Sequence, residues 1–401
     1  MNILFISVVH ISRVRGGVER VTETMSKELL SNGYKVYMIS LKKAIEGDRV
    51  YPYQSFLPSE KTISDANMSY IRDFVSEHRI DIILNQSDTM EMMSLIRNSC
   101  QHIPIISFYH NDPNALKKGL QDNWDLWKQY EGNIGFCIKF PYYFLRHLYQ
   151  CYTRRVHAKK KLFDLYQKST ALVLLSDRFK KPFIKASGIK DSAKLYAINN
   201  PLSFESDKKK DVSKERIVLF IGRLEYEQKR PDRMIEVWDK IGKKTEGWKL
   251  VIAGEGSLKK ELESRCNKKG LKNVQFCGIT DPQELYEKSE ILCMTSTFEG
   301  FPMVLVEALE HKVIPIVFDS CESIKDIMKN DTSGFFIKPF STKKYCEKLA
   351  LLMENEQLRE NMRNNITNSS IAETLSSKNI AQRWFELFNK IFETRIQTKK
   401  E

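Results

Sequence analysis

The feature that most constrains this chain is a repeated alternation of short apolar runs, each the length of a strand, with amphipathic stretches the length of a helix. It passes through Ile3–Val9, a helical stretch from Val18 to Asn32, Lys35–Leu41, Ile80–Leu84, Ile103–Tyr109 and Ala171–Leu175. Alternating strand and helix patterns predict βα units wound on a parallel sheet. The alternation breaks at residues 201–216, PLSFESDKKKDVSKER, a polar, charge-rich stretch of the kind that links domains on a surface. It then restarts with Ile217–Gly222, Lys249–Ala253, Val274–Cys277, Ile291–Met294 and Val313–Phe318.

A length of 401 residues accommodates two such domains, each with its own core. The predicted organisation is a first doubly wound domain over 1–205, a second over 206–375, and a closing helix over 376–401. In that last stretch Ile380, Trp384, Leu387, Phe388 and Ile391 recur at helical spacing. They predict a helix packed back on the first domain.

Composition narrows the partners without choosing one. The formal charge of +13 favours anionic ligands: phosphorylated metabolites, an anionic membrane or nucleic acid. The eight cysteines stand singly, with no C-x-x-C pair, which predicts reduced thiols and no metal site. The apolar start, Met1–Ser12, lacks a basic leader and reads as a buried strand rather than a signal peptide. No run approaches the roughly 18 apolar residues of a membrane span.

The strongest chemical signal is Phe298-Glu-Gly-Phe-Pro-Met-Val-Leu-Val-Glu-Ala-Leu, which follows the run Ile291–Met294. Glu299 falls at a strand's carboxyl end, and Glu307 lies inside a helix beginning near Pro302. Ligands of open α/β sheets bind at those ends, where a helix N-terminus offers unpaired N–H groups to phosphate. Upstream, Val218-Leu-Phe-Ile-Gly-Arg-Leu-Glu-Tyr-Glu-Gln-Lys-Arg-Pro places Arg223 and a Lys229-Arg230 pair after the second domain's first strand. An arginine fork and a lysine point charge suit a diphosphate. Lys229 is favoured for that role, with Arg230 next.

These segments resemble the E-x7-E and G-R-L-x-x-x-K signatures of retaining GT-B glycosyltransferases, especially family 4. The second carries one extra residue before the basic pair. Val251-Ile-Ala-Gly-Glu-Gly-Ser and Val274-Gln-Phe-Cys-Gly-Ile resemble two further segments of that family, as Gly16-Gly17-Val-Glu-Arg does near the N-terminus. The resemblance implies two Rossmann-like domains facing a cleft, with the second binding the donor. It implies donor contacts from Gly16, Gly17, Arg223, Lys229, Gly254, Ile279, Gly300, Phe301, Met303, Val304 and Glu307. Glu299 and His110, which ends the run Ile103–Tyr109, are implied close to the reacting sugar. His110 is expected to hydrogen-bond rather than transfer protons.

The implied reaction moves a hexose or N-acetylhexosamine, with retention, from a UDP-sugar to a glycan or a polyprenyl-diphosphate-linked acceptor in bacterial surface polysaccharide assembly. No metal or cofactor is implied, and no Asp-x-Asp pair occurs in the chain. A sugar-nucleotide epimerase on the same fold, or a nucleic-acid-binding protein, are the alternatives.

One segment stands apart. Residues 135–161 carry no Asp or Glu, abundant Phe and Tyr, and Lys139, Arg146, Arg154, Arg155 and Lys159–Lys161, within an insertion spanning about 112–165. This suits an interfacial helix on anionic lipid, an ordinary helix with one solvated face, or nucleic acid. The implied enzyme class favours lipid, and with it peripheral attachment to the inner face of the plasma membrane.

Overall fold

The computed structural model describes residues 1–11, 16–42, 53–202, 213–369 and 371–398, with backbone alone for 116–134, 136 and 396–398. Residues 13–15, just before the glycine pair, and most of the expected linker lie outside the described residues. The chain divides into two compact units, one of residues 1–114, 152–203 and 373–401, the other of 115–151 and 204–372.

The first unit holds seven strands: β1 (Asn2–Ser7), β2 (Lys35–Ser40), β3 (Gln54–Phe56), β4 (Ile82–Asn85), β5 (Ile105–Tyr109), β6 (Ala171–Leu174) and β7 (Leu195–Ala197). They form one parallel sheet in the order β3-β2-β1-β4-β5-β6-β7. Chain order reverses between β1 and β4, a topological switch point. The strands are apolar runs because helices cover both faces: β4, β5 and β6 are buried throughout. Two of those helices are capped by hydroxyls, Ser64 bonding Asn67 N–H and Thr89 bonding Met92 N–H.

The final helix, Ser377–Thr398, packs on this unit. Trp384 stacks on Phe108 at 4.7 Å between centroids, Phe385 stacks on Tyr34 at 5.2 Å, and Arg383 donates to Ala197 O and Asn199 Oδ1. Between β5 and β6 runs one helix, Ala115–Lys168, of 54 residues with Pro141 inside it. The basic aromatic segment is the second half of this crossover.

The second unit holds β8 (Glu215–Ile221), β9 (Lys249–Ala253), β10 (Val274–Gly278), β11 (Ser289–Met294), β12 (Ile314–Phe318) and β13 (Phe335–Ile337). The sheet is again parallel, in the order β10-β9-β8-β11-β12-β13, with its switch point between β8 and β11. Ile217, Leu219, Val251, Leu292 and Val313 pack with Ala308 and Tyr286 in one buried core on this sheet.

Candidate active site

Each switch point gathers polar residues that the sequence had singled out. In the second unit, β8 ends at Ile221 and feeds the loop 222–230, while β11 ends at Met294 and feeds Thr295–Pro302. The two loops are laced together: Thr297 N–H donates to Gln228 O at 2.8 Å, and the Thr295 hydroxyl to Arg230 O at 2.9 Å. This lacing brings Lys229 Nζ to 2.7 Å from Glu299 Oε1. Gln228 Nε2 donates to Glu299 Oε2 at 3.2 Å, and its own Oε1 accepts from Arg223 at 2.8 Å. Arg223, Gln228, Lys229 and Glu299 therefore form one connected set, the carboxylate 5% exposed and the arginine reaching into solvent.

The two basic candidates after Leu224 separate cleanly. Arg230 is 2% exposed and grips Asp232 through two bonds of 2.9 and 2.8 Å, opening the helix Pro231–Ile241. Its guanidinium is committed to the fold, and Lys229 is the residue beside the carboxylate.

Glycines shape the floor. A Cβ on Gly254 (φ +139°) would stand 2.0 Å from Gly222 O, and one on Gly256 would stand 2.4 Å from Leu224 O, so the ends of β8 and β9 meet backbone to backbone. Gly254 N–H donates to Gly278 O at 2.8 Å, and the next residue, Ile279, is 74% exposed. Gly300 O accepts from Ser323 Oγ at 2.7 Å, which anchors the turn after Glu299.

The helix Met303–Glu310 starts at this turn with no side chain capping it. Phe301 and Met303 are buried and Val304 is half-buried. Glu307 is 1% exposed, and its Oε2 accepts from the Tyr286 hydroxyl at 2.9 Å. Glu307 is thus a buried, hydrogen-bonded carboxylate and not a solvated one.

Gly16, Gly17 and His110 lie in the first unit. Gly16 precedes the helix Gly17–Ser31 with an extended backbone, and its carbonyl accepts from Arg20 N–H. A cavity of about 310 Å³ opens at the β1/β4 switch point, lined by Ser7, Val9, Glu19, Gln86, Asp88 and His110 among others. His110 Nε2 is 2.7 Å from Gln86 Oε1, and its Nδ1 is buried without a hydrogen-bond partner. Burial pulls the His110 pKa down from 6.5 to about 4, so the ring is neutral at neutral pH. With the carbonyl of Gln86 accepting, Nε2 carries the proton and Nδ1 is left as an acceptor.

Gln86, Gln228, Tyr286 and Ser323 were not anticipated. Gln86 sits in the polar run Asn85-Gln-Ser-Asp-Thr89 directly after an apolar strand, a signal for the carboxyl end of β4. Gln228 lies within the basic segment already singled out. No group of three or more His, Cys, Asp or Glu with metal-ligand geometry occurs among the described residues.

Two parallel-sheet units, each with a polar cluster at its switch point, define a pair of Rossmann-like α/β domains. The family model for "Glycosyltransferase Family 4" matches residues 15–203, and that for "Glycosyl transferases group 1" matches 203–369. The chain belongs to this family of glycosyltransferases.

Among curated relatives, it is 32% identical over 196 residues to the Campylobacter jejuni GalNAc-alpha-(1->4)-GalNAc-alpha-(1->3)-diNAcBac-PP-undecaprenol alpha-1,4-N-acetyl-D-galactosaminyltransferase, covering 48% of this chain and 54% of that one. It is 32% identical over 213 residues to the amylovoran biosynthesis glycosyltransferase AmsD of Erwinia amylovora, covering 51% and 58%. The matched stretch spans little more than half the length of these relatives.

Among solved structures, a variant of S. aureus TarM superposes with a TM-score of 0.71 at 14% identity, over 97% of this chain and 100% of that one. Anabaena HepE in complex with UDP and glucose gives 0.72 at 14% identity, with the same coverage. The architecture is GT-B.

Proposed function

We propose that the protein is a retaining glycosyltransferase that moves a hexose or N-acetylhexosamine from a UDP-sugar to a glycan or polyprenyl-diphosphate-linked sugar during surface polysaccharide assembly. The observation that carries this reading is the Arg223–Gln228–Lys229–Glu299 set at the β8/β11 switch point: two cations and a carboxylate on a rigid loop pair. Lys229 exchanges its contact with Glu299 for the donor diphosphate, and Arg223 adds a fork of N–H donors. The uncapped start of the helix Met303–Glu310 supplies further N–H groups to phosphate. Glu299, released from Lys229, holds sugar hydroxyls, while Glu307 holds the nucleoside side. In the first unit His110 Nδ1 accepts from a sugar hydroxyl.

In this reaction the bond between the anomeric carbon and the diphosphate oxygen breaks as the acceptor oxygen attacks on the same face. The acceptor proton passes to the departing phosphate. Charge on the leaving group is met by Arg223, Lys229 and backbone amides, so no metal is called for. Support also comes from the acceptor named for the Campylobacter relative, a sugar on PP-undecaprenol, and from the UDP bound in the HepE structure. A lipid-linked acceptor puts the reaction at an anionic membrane surface, and peripheral attachment to the inner face of the plasma membrane is part of the same reading.

The test is a panel of nucleotide sugars with and without a lipid-diphosphate acceptor, in the presence of EDTA, with the product's anomeric configuration read by NMR. Transfer with retention supports the reading. Absence of both nucleotide binding and turnover across the whole panel sinks it, and release of free sugar without acceptor points to an epimerase instead.

A further inference from the structure

We propose that the outward face of the long helix Ala115–Lys168, between residues 138 and 160, is the surface on which the protein docks to an anionic phospholipid bilayer, with the helix lying flat in the headgroup layer. The proposal rests on the reading above for its membrane setting, and it adds the surface and the lipid chemistry.

Ten of the fifteen large hydrophobic side chains exposed among the described residues fall between Ile138 and Phe163. Six of them, Ile138, Tyr142, Leu145, Tyr149, Tyr152 and Val156, recur at intervals of four and three, and each is 53–75% exposed. That spacing draws one line along a helix, about 27 Å long at a rise of about 1.5 Å per residue. A soluble helix buries such a stripe against its own core, and a contiguous exposed one marks an interaction surface. The three tyrosines suit a boundary at which one end of the ring is apolar and the other wet.

Charge identifies the occupant. Arg146 lies on one flank of the stripe, Arg155 and Lys159 on the other, and Lys160 in line with it, all exposed. Residues 132–163 contain no Asp or Glu. Lys161 is the exception among the cations, turned to Asp88 at 2.8 Å and thereby part of the fold. Spacing of this kind also builds coiled coils, but a second copy would bring like charges onto both flanks with no carboxylate to meet them. An anionic lipid surface neutralises the same array. No helix among the described residues is long and apolar enough to cross a membrane, so attachment in the plane is the mode the helix permits.

The full-length chain is sedimented with vesicles of phosphatidylglycerol and phosphatidylethanolamine, and with vesicles of phosphatidylcholine alone, at low and high salt. We expect binding to the anionic vesicles only, weakened at least tenfold by high salt. Two sets of substitutions, Leu145→Ser with Tyr149→Ser and Tyr152→Ser, and Arg146→Gln with Arg155→Gln, Lys159→Gln and Lys160→Gln, are each expected to reduce it at least tenfold. Arg146→Lys with Arg155→Lys keeps the charge and is expected to keep binding, and melting curves show that each variant folds. Equal binding to neutral vesicles, no vesicle binding, full retention by either set, or binding to a single-stranded RNA instead of vesicles overturns the proposal. UDP binding measured on the same samples separates the two readings: vesicle binding without nucleotide binding sinks the transferase alone, and the reverse sinks the docking face alone.

Discussion

Lys229 Nζ stands 2.7 Å from Glu299 Oε1, joining residues seventy positions apart at the carboxyl ends of β8 and β11. In the proposed reaction a nucleotide sugar takes over both partners of this pair: the diphosphate takes the lysine, the sugar hydroxyls the carboxylate. Glu299→Gln keeps the shape and removes the charge. It is expected to lower transfer by roughly a hundredfold to a thousandfold with the melting temperature little changed, the scale of losing one preorganised electrostatic contact. Initial rates alongside circular-dichroism melts check this, and an unchanged rate would show that the reacting sugar lies elsewhere.

Lys229 and Arg230, adjacent in sequence, are expected to fail differently. Lys229→Ala should weaken UDP binding by roughly tenfold to a hundredfold, the worth of a hydrogen bond to a charged group. Arg230→Ala leaves the buried Asp232 carboxylate without its two-bond partner, and should cost about 3 kcal/mol of stability or more. Calorimetric titration with UDP and urea unfolding separate the two; if Arg230→Ala leaves the urea midpoint unmoved, its fold role is wrong.

Gly254→Ala is expected to destabilise the second unit by roughly 2 kcal/mol or more, because the new methyl group meets the Gly222 carbonyl and the positive φ is strained as well. Gly33→Ala, also at positive φ but with no atom within 4 Å of the added carbon, serves as the comparison. Comparable losses at both positions would mean that strain, and not the close approach, dominates.

His110 ties stability to pH. Its folded pKa, about 4, lies below the ordinary 6.5, so the unfolded chain binds the extra proton first as pH falls. The contribution is present in full above 6.5 and is lost progressively as pH drops from 6.5 through about 4. His110→Gln should flatten the fall in melting temperature across that window relative to wild type. Parallel curves for the two proteins would remove His110 as its source.

Most of the sheet was legible because buried parallel strands announce themselves as apolar runs; β9, expected over Lys249–Ala253, has those bounds in the structure. The three-residue strands β3, β7 and β13 were not, since each sits at a sheet edge and is too short to form a pattern. Site residues divide in a similar way. Glu299 could be placed because glycine, proline and a preceding strand fix its position locally. The roles of Gln228 and Gln86 could not, because an amide gains meaning only from a partner brought up by the fold, Glu299 in one case and His110 in the other.

The stacking of Trp384 on Phe108 has a consequence for the chain's synthesis. Residues 373–401 complete a unit whose other parts all precede residue 204, whereas residues 115–151 and 204–372, which form the second unit, have been made before that helix appears. Domains fold as units while the ribosome is still at work, and contacts far apart in sequence close late. The portion translated first is therefore completed last, with the surface around Tyr34 and Phe108 uncovered until the final helix emerges.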